Sequence, residues 1–181
     1  MPRKRLPKSL PTGKPILRGS DKTAAPDAYL KALDLLARRD HSRGELRKKL
    51  ALRGFGEKVL EEVLERLSSQ GLINDAKFAA GWVQSALRSG RGFGAKLLAD
   101  LQQKGVSRET AREAVAAAAA ENPAELVLAA IVQRRFAAFH NETATQKERQ
   151  RVYAYLLRRG FSLASIISYF RNKQNQPENP P

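Results

Sequence analysis

One block of residues recurs three times along this chain, and that recurrence limits the folds open to it more than any other feature. Residues 42–55, 93–106 and 148–161 align without gaps, at offsets of 51 and 55. Each block carries an apolar pair four residues apart: Leu46/Leu50, Leu97/Leu101 and Val152/Leu156. That spacing puts both side chains on one face of a helix. A basic residue and a glycine then close each block, as Arg53-Gly54, Lys104-Gly105 and Arg159-Gly160. Glycine just past a helix end adopts the left-handed conformation cheaply, and a cation in the last turn complements the helix dipole. A second helix follows each glycine, with aligned apolar positions Leu60/Val63/Leu64, Ala111/Ala114/Val115 and Ile166/Tyr169/Phe170. Ser107 and Ser162 stand where an N-cap belongs.

A helix is also expected ahead of each block. The first runs over about 27–39, with Tyr29, Leu30, Leu33 and Leu36 on its apolar side. The second runs over about 75–88, with Phe78 and Trp82. The third runs over about 123–139, with Pro123 in its first turn and Leu126, Ile131 and Phe136 apolar. Ser42…Glu45 and Thr145…Glu148 read as capping boxes. One such unit is too small for a sound core, so neighbours must stack. The expected fold is all-α: three tandem three-helix repeats, at 26–70, 71–121 and 122–172, stacked into an elongated, curved helical array. Residues 1–25, rich in proline and basic residues, read as a disordered basic N-terminal arm, and 173–181 as a disordered polar tail.

Charge then says what such an array is for. Lys and Arg outnumber Asp and Glu by 33 to 18, a net charge of +15. That exceeds what solubility needs and favours a polyanionic partner. The chain has no cysteine, which excludes disulfides and thiolate metal sites and fits the cytoplasm. No apolar run reaches the length of a membrane span, and the N-terminus lacks the apolar core of a secretory signal. A monomer is expected.

Catalysis finds little support in the residues. His41 and His140 are the two histidines, and both read as surface residues beside helix ends. Glu57, Glu61, Glu62 and Glu65 cluster among Lys58 and Arg66, which reads as a solvated helix face with i,i+4 pairs rather than a metal site. Residues 90–96 (GRGFGAK) lack the ending of a phosphate loop and read as a flexible basic connection. No metal, cofactor or catalytic residue is expected. Trp82 reads as core, with a base-stacking platform as the alternative.

The basic pattern is more informative. Arg38, Arg39, Arg43, Arg47, Lys48, Lys49 and Arg53 crowd the first unit. Arg88, Arg91 and Lys96 flank the glycine-rich connection. Arg134, Arg135, Arg149, Arg151, Arg158 and Arg159 crowd the third unit. In a regular stack these would line one side of an arc, the footprint of a backbone binder without base-specific readout.

Residues 39–50 (RDHSRGELRKKL) resemble the opening signature of the RecX family of recombination regulators. Residues 71–79 (GLINDAKFA) resemble its second signature. Arg88, Arg91-Gly-Phe-Gly, Leu97, Leu101 and Gln102-Gln-Lys-Gly105-Val106 resemble its third. The resemblance covers about residues 28–172. It implies a protein that lodges in the groove of the RecA recombinase filament on single-stranded DNA. Such a protein inhibits strand exchange and ATP hydrolysis, promotes filament disassembly and carries no catalytic residues. Direct, sequence-independent binding to single- or double-stranded DNA is the alternative.

Overall fold

A computed structural model describes residues 21–175, with side chains from 24 to 173. The described residues form nine helices and no strand. The first unit holds α1 (Asp21–Leu36), α2 (Arg43–Ala51) and α3 (Glu57–Ser69). The second holds α4 (Asp75–Arg88), α5 (Ala95–Gln103) and α6 (Arg108–Glu121). The third holds α7 (Ala124–Arg135), α8 (Gln146–Arg158) and α9 (Leu163–Asn175). In every unit the first and second helices both pack on the third.

The repeated apolar pair anchors each unit's core. Leu46, Leu50, Leu97, Leu101, Val152 and Leu156 are all buried. Each closing glycine is left-handed, with φ of 89° at Gly54, 81° at Gly105 and 94° at Gly160. The residue after it donates its N–H to the carbonyl of the second residue of the pair: Phe55 to Leu50, Val106 to Leu101 and Phe161 to Leu156. This turn satisfies helix-end carbonyls and swings the next helix back over the pair. Ser107 and Ser162 accept from the N–H groups of Thr110 and Ser165, as N-caps do.

Several expectations change. The helix α1 starts at Asp21, so 21–25, assigned to the arm, are helical; residues 1–20 lie outside the described residues. Ala24 and Ala25 pack against the first core, which rewards the extra turn. The buried stripe of α1 is Ala28, Ala32 and Leu35, whereas Leu30 is 58% exposed. Small alanines let α1 approach its neighbours closely, a preference that counting bulky side chains overlooks. Likewise α7 buries Leu128, Ile131 and Val132 and leaves Leu126 exposed. Pro123 is its N-cap, and it ends at Arg135 rather than near Phe139. Phe139 instead turns in to meet Phe170 edge-on, with ring centroids 5.5 Å apart. Of the expected tail, Lys173–Asn175 continue α9, and 176–181 lie outside the described residues.

The units join by one repeated device. The Ser42 hydroxyl, at the start of α2, donates to the carbonyl of Lys104 in the second unit's glycine turn. Fifty-one residues on, the Phe93 N–H donates to the carbonyl of Arg159 in the third unit's glycine turn, at 2.7 Å. These are equivalent positions of the repeat. In the first two units the start of the middle helix docks on the next unit's basic-glycine turn. A side chain on Gly44 would lie 2.6 Å from the Gly105 Cα, and one on Gly160 would collide with the Phe93 carbonyl. Glycine is therefore required for close approach as well as for φ. Stacking of Phe93 on Phe161, centroids 5.0 Å apart, seals the second joint. Among the described residues, hydrogen bonds join the first unit to the second and the second to the third, and none joins the first to the third. The units are thus arranged in series.

Candidate nucleic-acid interface

The expected basic residues fall into three settings. On the first unit, Arg43 pairs with Glu61 at 3.1 Å and Glu65 at 3.3 Å, and Arg47 pairs with Glu57 and with Glu61 at 2.7 Å. Glu57, Glu61 and Glu65 of α3 are therefore partners of α2, not a self-paired helix face. They offset much of the charge of Arg43 and Arg47. Arg38 lies exposed after α1, while Arg39 donates to Glu45 at 2.9 Å.

The second setting is the junction of units one and two. Glu45 accepts from Arg39, from His41 Nδ1 at 2.9 Å and from Lys104 at 3.0 Å. Burial alone would raise its pKa, but these hydrogen bonds hold the carboxyl down to about 2. His41 is 3% exposed, which corrects its reading as a surface residue. Burial lowers its pKa and outweighs the hydrogen bond to Glu45, so the neutral ring donates from Nδ1. The charged neighbours of His41 in sequence hid this role. The expected box at Ser42 is half formed: Ser42 caps Glu45 N–H, but the Glu45 side chain turns to this cluster instead. The box at Thr145 and Glu148 is complete. Nearby, Lys48 donates to the Gln103 carbonyl at 3.0 Å, while Lys96 is paired with Asp100.

The third setting is a recess of about 770 Å³ on the third unit, lined by Arg134, Arg135, Arg151, Phe136, Phe139 and His140, among others. Arg151 is exposed. Arg135 and Arg159 both lie over the Tyr155 ring, at 4.9 and 4.8 Å. Arg134 donates to the carbonyls of Ser89 at 2.8 Å and Arg88 at 3.4 Å, closing the end of α4. Glu148, the carboxylate in the lining, is engaged by Thr145. The connection at 90–96 is not loose. Arg159 reaches the Arg91 carbonyl at 2.8 Å, and the Phe93 bond holds its centre. Arg91 itself bonds Ser85 and Ser89, and the Arg88 side chain is exposed.

Sequence reasoning undervalued Lys104, read only as a helix-closing cation, and Lys49. Both line a groove beside Trp82. Their proximity comes from the joint between units, which no single segment encodes.

Fold and surface together define an all-helical tandem-repeat protein with cations gathered at a unit junction and in one recess. Three domain families match in order: RecX, first three-helix domain, at 28–67; RecX, second three-helix domain, at 74–115; and RecX, third three-helix domain, at 127–169. The chain is 38% identical to the regulatory protein RecX of Syntrophotalea carbinolica over 148 residues, covering 82% of this chain and 97% of that protein. It is 36% identical to RecX of Chromohalobacter salexigens over 135 residues, covering 75% and 85%. The crystal structure of RecX from Lactobacillus salivarius shares the fold, with a TM-score of 0.67 at 19% identity over 86% of this chain and 99% of that one. The chain belongs to the RecX family and has a regulatory role.

Proposed function

We propose that this protein is a negative regulator of the RecA recombinase that binds in the groove of the RecA–single-stranded DNA filament. It inhibits strand exchange and ATP hydrolysis, promotes disassembly, and does so by binding, with no chemistry of its own. The match to all three RecX domains in order carries this reading. The physics supports it: units in series offer a long surface able to touch several protomers, and a net charge of +15 is drawn to the filament's phosphates. Arg134, Arg135 and Arg151 are the foremost contacts, since their recess holds few competing carboxylates. Lys48, Arg88 and Arg91 come next. Arg39, Arg43, Arg47 and Lys96, already ion-paired, contribute less, and Arg38, exposed after α1, is a further contact.

Direct binding to naked DNA is the second reading, favoured by the same recess. The two separate in a binding experiment against RecA-coated and bare single strands. Tighter binding to the coated strand supports the regulator. Equal affinity for both, with the steep salt dependence of phosphate neutralisation, supports the direct binder.

A further inference from the structure

Beside the joint between units one and two lies a groove of about 400 Å³, lined in part by Trp82, Lys48, Lys49 and Lys104. That volume is within the range of ligand clefts, roughly 300–1,000 Å³. Trp82 is the chain's single tryptophan and is only half buried, unlike Phe78 one turn earlier. Its ring is less closely covered by cations than the chain's clamped tyrosines. Arg66 stands 4.3 Å from the Tyr29 centroid, and Arg135 and Arg159 lie within 4.9 Å of Tyr155. Around Trp82, Arg91 and Lys104 stay back at 5.8 and 5.7 Å, near the outer limit of cation–π contact.

The charges of the groove are also sorted. Its carboxylates are spoken for: Glu45 by Arg39, His41 and Lys104, and Asp100 by Lys96. Lys48 donates to the Gln103 carbonyl, and Arg91 donates to the hydroxyls of Ser85 and Ser89. Neutral partners leave those two cations their full charge toward an incoming anion. An aromatic face flanked by cations is the combination that holds an unpaired nucleotide, the base stacked and the phosphates neutralised.

We propose that Trp82 is a base-stacking platform for single-stranded nucleic acid, with Lys48, Lys49 and Arg91 on the flanking phosphates. The site deepens the proposed function, because it gives the protein its own hold on the strand inside a filament, and it rests on that reading for its biological setting. Its chemistry needs no RecA.

The test uses the full chain and its own fluorescence. Oligodeoxythymidylate is titrated in, and binding is followed separately by anisotropy of a labelled oligomer. The site predicts quenching of Trp82 that saturates with binding, and much weaker quenching by a duplex of the same length. Trp82→Phe should retain affinity within a few-fold, whereas Trp82→Leu should weaken it roughly fivefold or more, the loss of one stacked base. Lys49→Gln, at the groove rim, should lower the salt slope by about 0.7, one single-strand phosphate contact. Binding without quenching, equal quenching by duplex, equal affinity of the Phe and Leu variants, or no binding would each overturn the site. Should Trp82→Leu not fold, the first two measurements and Lys49→Gln still decide. None of these outcomes involves RecA, so failure of the site and failure of the filament reading are told apart.

Discussion

Single residues here answer to their partners more than to their types. Glu45 looks in sequence like half of a capping box, yet three donors from both sides of a unit joint hold it ionised. Its carboxyl falls from 4.5 to about 2 on folding. A lowered pKa means that stability is present above pH 4.5 and is lost as pH falls toward 2, up to about 3 kcal/mol in all. His41 is also lowered, so its share is present above pH 6.5 and is lost as pH falls below that. We expect chemical denaturation at a series of pH values to show stability declining first below pH 6.5 and again below 4.5. His41→Asn, which keeps a donor near the Nδ1 position, should remove the first decline and leave the second. A single decline unchanged by that substitution would contradict this account. Neither pKa was legible in the sequence, because the cluster is assembled across 59 residues, from Glu45 to Lys104.

At the scale of helices, the sequence carried the register faithfully. The apolar pairs, closing glycines and caps at Ser107, Ser162 and Thr145 are all properties of short segments, and short segments reveal them. What it hid was which face of α1 and α7 turns inward, because alanine and leucine alternate there and neighbouring helices choose between them. It hid also the second duty of the closing glycines. Gly54 has open space around it, whereas Gly105 touches Gly44. Gly54→Ala should therefore cost only backbone strain, about 1–2 kcal/mol. Gly105→Ala should cost that and more, since backbone cannot yield easily, and should loosen the first joint. Urea unfolding of the two variants checks this, and equal losses would show that the joint does not depend on close approach. The same element-level reading revises the first unit's charges. Arg43→Glu with Arg47→Glu would set new carboxylates against Glu57, Glu61 and Glu65, so a lower melting temperature is expected along with any loss of binding. Arg135→Gln with Arg151→Gln removes recess charge without breaking an ion pair. It should reduce filament binding and lower its salt slope by about one unit per contact, with helicity unchanged.

The whole molecule is three small cores in series, tied by a joint used twice. Such an array offers length and charge. Family membership supplies the regulatory role, and the contacts proposed for it are a recess of arginines on the third unit and a tryptophan groove beside the joint of the first two. The sequence displayed the supply of cations but not their sorting into paired and open ones, since pairing is decided by which helices meet. We propose that this array antagonises a RecA filament by binding alone. The most direct measurement is the ATPase and strand-exchange activity of RecA on single-stranded DNA with this protein added. Stoichiometric amounts should depress both, with filaments shortening over time; unchanged activity at those amounts would contradict the account.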